Sequence, residues 1–311
     1  MIIAGAGLAG LIAGNMFRNY SPDIIELQDN LPNNHKAILR FRDESVAKAT
    51  GVEFKKVKVR KAISYKGQWL NRSNPKVANL YSIKVTGKVQ NRSCWNLEDV
   101  ERYISPEDFI SRIAKGLTID YGKNLQKSMF DGQPIISTIP MPAMMDIVDW
   151  KEKPEFPYRS IWSVWCTIED YDINVNQTIY YPDLSEPYYR ASLLGNKFIL
   201  EYNKEPIEAM SDVITVLSKD FGIEIKLTNE SDFNIKKQKY GKISSIDDDL
   251  RKEFLYYLTR EYNVYSLGRF ATWKQIILDD VVDDSNKIMK LVNVEDKRRN
   301  YAINKTIMRG G

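Results

Sequence analysis

The chain has 311 residues, 43% hydrophobic and 11% aromatic, enough to fill a sizeable core and to exclude a disordered polymer. Its 45 Lys and Arg against 41 Asp and Glu leave a net charge of +4, a mild excess that does not by itself mark a nucleic-acid surface. No apolar run approaches the roughly 20 residues that span a bilayer, and a single histidine, His35, excludes a multi-histidine metal site.

The first element is an apolar strand, Met1-Ile2-Ile3-Ala4, that runs straight into Gly5-Ala6-Gly7-Leu8-Ala9-Gly10 and a small-residue helix through Gly14. In a Gly-x-Gly-x-x-Gly loop the first glycine permits a tight turn and the second lets a pyrophosphate approach the backbone. The third lets the helix pack on the strand. Free N–H groups at Leu8 and Ala9 then face the phosphates at the helix N-terminus. Because the apolar opening is the loop itself, with no basic leader, no signal peptide is expected. Ser21-Pro22 closes the helix, and Asp23-Ile24-Ile25-Glu26-Leu27 reads as a second strand whose Glu26 stands where an acid receives a ribose. Together these features predict a dinucleotide site of the Rossmann type.

A polar loop over 30–36 follows, then Ala37–Arg42 and a helix over 43–50. Residues 54–88 alternate basic and apolar positions, with Tyr65-Lys66-Gly67-Gln68-Trp69 as a hairpin turn. Such alternation reads as a solvated sheet face, with a polyanion groove as the alternative. Ser105-Pro106-Glu107-Asp108 predicts a helix start, with Ser at the cap and Pro just inside. Ile135-Ile136-Ser137-Thr138-Ile139-Pro140 reads as a buried strand returning to the nucleotide sheet. Residues 156–203 are aromatic and strand-like. A helix is expected over 205–221, with Ile207, Met210, Val213, Ile214 and Leu217 as its core stripe. A further helix is expected over 277–290, followed by a basic tail at Lys297-Arg298-Arg299. Cys94 and Cys166, without CxxC spacing, read as reduced structural thiols, with a redox pair as the alternative; this implies a cytoplasmic setting.

The Gly5–Gly14 loop with Glu26, the Ile135–Pro140 strand and the late Gly268-Arg269-Phe270-Ala271-Thr272-Trp273 together resemble FAD-binding flavoproteins, the group that contains the amine oxidases and the UDP-galactopyranose mutases. That resemblance implies an α/β protein: a Rossmann-like FAD-binding domain with an inserted antiparallel-sheet substrate domain, closed by a C-terminal segment that returns to the flavin. The FAD-binding domain is expected over 1–60, 105–150 and 262–311, the substrate domain over 61–104 and 151–261. Tyr158-Arg159-Ser160 and Tyr188-Tyr189-Arg190 look like the two arginine-bearing strands that face the flavin in the mutases. Gly268-Arg269 with Leu278-Asp279-Asp280 looks like the mutase stretch that reaches the FAD phosphates and the flavin.

Three departures weigh against mutase activity. Trp273-Lys274-Gln275 stands where the mutases carry tyrosines, and Leu39-Arg40-Phe41-Arg42 replaces their histidine-rich segment. Between Ser105 and Ile135 there is room for about one helix instead of a uridine-gripping domain.

The candidate cofactor residues are Gly5, Gly7, Leu8, Ala9, Gly10, Glu26, Arg40, Arg42, Gly268, Arg269, Asp279 and Asp280. For Arg40, Arg42 and Arg269 the alternative is a solvated arginine, and for Asp279 and Asp280 an acidic helix start. Arg159 and Arg190 are candidates for holding an anionic substrate group, with exposed strand positions as the alternative. Tyr180, Tyr181 and Trp273 wall a flat ligand or pack the core. The leading expectation is an FAD-dependent, amine-oxidase-like oxidoreductase acting on a small amine, amino-acid-like group or alcohol. A flavin-dependent isomerase, a flavoenzyme acting on a nucleic-acid base and a silent dinucleotide-binding protein are its rivals. Oligomeric state is left open.

Overall fold

Short apolar runs far apart in the sequence become neighbouring strands. The computed structural model describes residues 1–31, 38–90, 93–168, 175–225 and 233–309. In chain order the first half holds β1 (Ile2–Ala4), α1 (Leu8–Met16), β2 (Asp23–Ile25), β3 (Arg40–Phe41), α2 (Ser45–Thr50), β4 (Lys55–Tyr65), β5 (Gln68–Leu70), α3 (Pro75–Thr86), β6 (Val100–Ile104), α4 (Phe109–Ala114), β7 (Ile119–Asp120), β8 (Ile135–Ser137) and α5 (Met141–Ile147). The second half holds β9 (Tyr158–Thr167), β10 (Val175–Tyr180), β11 (Tyr188–Leu194), β12 (Lys197–Tyr202), α6 (Ala209–Phe221), β13 (Phe233–Ile243), α7 (Asp248–Tyr262), β14 (Val264–Ser266) and α8 (Leu278–Arg309). His35 lies outside the described residues.

One sheet has the order β14-β8-β1-β2-β7 and is parallel throughout. Its strands β1 and β8 are buried at every position, as a sheet covered on both faces requires. α1, α2, α4 and α8 cover one face through Leu11, Ile12, Val46, Phe109, Val281 and Val292. α5 and α7 cover the other through Met141, Met144, Phe254 and Leu258. The second sheet has the order β13-β9-β12-β11-β10-β4-β6-β3, with β5 paired to β4, and is antiparallel except between β10 and β4. α6 packs on one of its faces through Val213, Val216 and Leu217. α3 packs on part of the other, with Tyr81 and Val85 against Ile63, Tyr180 and Tyr189. The expected α/β architecture is found, a parallel sheet beside a second sheet that departs from the expected antiparallel pairing at β10–β4.

Local expectations fared unevenly. The hairpin at Tyr65–Gln68 forms, with Lys66 and Gly67 both at positive φ as a tight β-turn demands. Residues 75–86, expected as alternating strand, are instead the helix α3: Asn74 caps it by accepting the Val77 N–H at 3.1 Å, and Pro75 opens it. Ser105 is not a cap. The Pro106 carbonyl accepts the Phe109 N–H, so 106–108 is a turn and α4 starts at Phe109, where the buried stripe Phe109, Ile110 and Ile113 begins. Ile207 is 98% exposed and precedes α6, whose buried stripe is Val213, Val216 and Leu217. The last helix runs through Lys297-Arg298-Arg299 to Arg309 rather than ending near 290. Cys94 and Cys166 are buried and are not joined in a disulfide.

Candidate functional site

The carboxyl ends of β1, β8 and β14 meet at one crevice, where the strand order of a parallel sheet reverses and ligands bind in such folds. Gly5 leaves β1 at φ 97°, and a Cβ there would lie 2.3 Å from Thr138 Oγ1, which follows β8. Thr138 in turn donates to the Ala4 carbonyl at 2.9 Å, tying the two strand ends together. A Cβ on Gly10 would meet the Gly5 carbonyl oxygen at 1.9 Å, so the helix can approach the turn only with glycine at that position. Gly7 faces open space, with nothing within 4 Å of where its Cβ would point. It is the N-cap of α1 and brings no side-chain cap. The N–H groups of Leu8, Ala9 and Gly10 are therefore left without helical acceptors, and the helix dipole favours an anion there.

The late Gly-Arg turn lands on this loop. Leu267 donates its N–H to the Ser137 carbonyl at 2.8 Å, and the chain then turns at Gly268 with φ 90°. A Cβ on Gly268 would stand 2.9 Å from Ala9 Cβ. The two ends of the chain thus close one crevice. Arg269 Nη2 donates to the Gly241 carbonyl of β13 at 3.2 Å, and Gln275 Nε2 to the Ile243 carbonyl at 2.9 Å, which fixes the turn to the second sheet. Glu26 stands at the crevice, where its carboxylate accepts the N–H groups of Ala6 at 2.6 Å and Gln28 at 3.0 Å.

Arg42, Asp279 and Asp280 form a second seam. Asp279 is 2% exposed, and its Oδ1 accepts the Arg42 N–H at 2.8 Å while Oδ2 has no partner. Burial pushes its carboxyl above the usual aspartate range. The Arg42 side chain pairs with Asp280 at 2.5 Å, half exposed. This seam holds the loop after β3 against the start of α8.

The second sheet turns a polar face toward its interior. Cross-strand pairing sets Ser163, Glu201, Arg190, Tyr180 and Ile63 in one row, and Trp165, Ile199, Ser192, Thr178 and Lys61 in the next row on the same face, two registers along. A bulge at Tyr188–Arg190 lets Tyr189 and Arg190 both reach Glu201: Tyr189 Oη donates to Oε1 at 3.0 Å, and Arg190 Nε pairs with Oε2. Burial opposes both charges of this pair, yet Glu201 holds Arg190 well above its ordinary value and Arg190 holds Glu201 below the usual carboxylate range. Arg40, on β3, donates from Nη1 to Asn176 Oδ1 at 3.2 Å and Thr178 Oγ1 at 2.9 Å. Two strands separate β3 from β10 in the sheet, so this reach requires the sheet to curl into a concave surface.

Arg159 lies two rows beyond Arg190, at the rim, where its guanidinium packs on Gly87 and lines a cavity of about 570 Å³ with Lys84, Glu186 and Asp212. Burial pulls the Lys84 ammonium in that cavity down to about 8. Of the two roles open for Trp273, walling a flat ligand or packing the core, the structure gives the second: it is 1% exposed, packs on Phe156 and Tyr240 and donates to the Ser244 carbonyl. Tyr180 and Tyr181 are likewise buried. The basic stripe of β4 is neutralised locally, with Lys56 on Glu101 at 2.8 Å and Lys58 and Arg60 on Asp99 at 3.2 and 3.4 Å. Thr138, Asn176, Thr178 and Glu201 were not singled out in the sequence. Thr138 carried a signal, standing directly after a buried strand of the parallel sheet. Among the described residues no cluster of metal-ligating side chains occurs, and no helix is long and apolar enough to cross a membrane.

No protein-family model matches the sequence, and no curated protein matches it. Solved structures do. UDP-galactopyranose mutase in its reduced form aligns with a TM-score of 0.66 at 12% identity, over 93% of this chain and 95% of that one. A protoporphyrinogen oxidase-like protein from Exiguobacterium sp. 255-15 aligns with a TM-score of 0.62 at 11% identity, over 94% and 98%. Aklavinone-11 hydroxylase, in a complex with FAD and aklavinone, aligns at 0.54 and 11% identity, over 95% of this chain and 62% of that one. The resemblance drawn from the loop, the strand and the turn is thereby borne out at the level of the fold. At such identities the likeness carries architecture, and function must come from the site.

Proposed function

We propose that this chain is an FAD-dependent oxidoreductase acting on a small amine, amino-acid-like group or alcohol. The observation that carries the reading is the contact of Gly268 with Ala9, which joins the terminal segment to the opening glycine loop. The residues present fit FAD: an uncapped helix N-terminus, a Gly7 with open space before it and an acid at the end of β2. In this reading the N–H groups of Leu8, Ala9 and Gly10 hold the diphosphate, Glu26 takes the adenosine ribose, and the start of α8 with Asp279 and Asp280 serves the flavin end. Bound FAD supplies the two-electron acceptor. The protein contributes binding, orientation and a concave polar face that holds the substrate in reach.

Mass spectrometry of the ligand released from purified protein tests the cofactor, with FAD as the expected mass. Anaerobic bleaching of the flavin by amines, amino acids or alcohols without added reductant then tests the reaction. A colourless protein that releases no flavin, and takes none up, contradicts the assignment.

A further inference from the structure

The concave face holds two enclosed arginines whose charges are treated differently. Arg190 has Glu201 as a direct ion-pair partner, and Tyr189 donates to the other oxygen of that carboxylate. Among the described residues the hydrogen-bond partners of Arg40 are neutral, the Asn176 amide and the Thr178 hydroxyl. Among the described residues no carboxylate lies within ion-pairing distance of it. Burial, together with Arg190 and Arg102, lowers its affinity for its own proton. Lys61, paired across the sheet to Thr178, is lowered in the same way by burial, Arg102 and Arg40. Glu201 acts on Arg40, and Glu98 and Asp99 on Lys61, only at a distance; among the described residues none forms an ion pair with either cation.

A second orphan points the same way. Asn176 is 0% exposed and its Nδ2 has no partner, although a buried N–H left unmade costs about 1–3 kcal/mol. A guanidinium without an anion and an amide without an acceptor share the Asn176 side chain, so one acceptor of negative charge would satisfy both. The buried Thr178 hydroxyl lies 3.4 Å from Asn176 Oδ1, and the buried Ser192 hydroxyl lies 3.4 Å beyond it. Arg40 is partly exposed as a residue and Asn176 is enclosed behind it, so an anion would enter on the Arg40 side. The diphosphate of a dinucleotide already has its receptor at the N-terminus of α1, which leaves this cation for something else.

We propose that Arg40 and Asn176 form the receptor for an oxyanion carried by the substrate, a carboxylate or phosphate held on the concave face. The word substrate rests on the flavin reading above; the anion site does not. It also reassigns the anion-binding role, since Arg190 is already neutralised and Arg159 stands at the rim.

Titration calorimetry with benzoate and with inorganic phosphate tests this on purified holoprotein, alongside FAD content. At least one probe should bind the parent protein, and Arg40→Met should weaken it at least tenfold with FAD content unchanged, while Arg40→Lys weakens it less. Asn176→Asp supplies Arg40 with an internal carboxylate. It should abolish probe binding and raise the melting temperature, and it carries the test should Arg40→Met fail to fold. Failure of both probes to bind the parent protein, or equal affinity in parent, Arg40→Met and Asn176→Asp, overturns the proposal. Parallel loss of probe and FAD in Arg40→Met also overturns it and gives Arg40 to the cofactor diphosphate. A protein free of flavin that still binds a probe through Arg40 removes the flavin reading and leaves the anion site standing.

Discussion

The crevice at the strand ends and the concave face of the second sheet are built by opposite means. The crevice is made of backbone: Gly5, Gly7, Gly10 and Gly268 serve by what they lack, and the groups offered to a ligand are N–H dipoles. The concave face is made of side chains: a buried acid, amide and hydroxyls with two partly enclosed arginines among them. A backbone site depends on close approach and fails when any atom is added. A side-chain site depends on charge balance and fails when a partner is removed.

That contrast can be broken by substitution, and the largest effect is expected in the crevice. Gly10→Ala puts a Cβ 1.9 Å from a backbone oxygen that cannot move without dismantling the β1–α1 turn. A loss above about 4 kcal/mol is expected, seen as a collapsed urea midpoint. On the concave face Glu201→Leu strands Arg190 as a buried charge and should cost about 3–5 kcal/mol, whereas Glu201→Leu with Arg190→Met should recover most of it. If the single and double variants unfold alike, the pair is not what balances that layer. Gly268→Ala forces an L-residue to φ 90° against Ala9 and should cost roughly 2 kcal/mol. It should also weaken FAD retention, measured by the flavin released per chain.

The smallest effect concerns the seam at α8. Burial raises the Asp279 carboxyl, so its ionised form is disfavoured in the folded state. The penalty is absent below the unfolded value near 3.8 and sets in as pH climbs through that value toward the folded one. Asp279→Asn keeps an acceptor for the Arg42 N–H and should gain about 1 kcal/mol at neutral pH. The gain should vanish in acid, as melting curves across pH would record.

How much of this was legible in the sequence follows from the same contrast. The crevice could be read because glycine spacing is a local requirement: Gly5, Gly7, Gly10 and Glu26 all lie within one βαβ unit. Even the distant Gly268-Arg269 carried a signature, although only the folded chain sets Gly268 on Ala9. The concave face could not be read, because its logic is non-local. Arg40 meets Asn176 across 136 positions through the curl of a sheet, and Arg190 meets Glu201 through a bulge. Nothing in Tyr188-Tyr189-Arg190 announces that two consecutive side chains will share one acid. α3 was a different miss, since Asn74-Pro75 is a helix-start signal that the basic and apolar alternation around it obscured.

The central claim, that the opening loop and the returning Gly-Arg turn form one dinucleotide crevice, is tested most directly at Gly7. Its φ of −66° and the open space before it allow any side chain, and an aspartate there would cap α1 while placing a negative charge where a diphosphate must sit. FAD titration of the parent protein and of Gly7→Asp, followed by quenching of flavin fluorescence, should show affinity lost at least a hundredfold while the melting temperature of the ligand-free chain holds or rises. Equal FAD affinity in the two proteins would contradict the account.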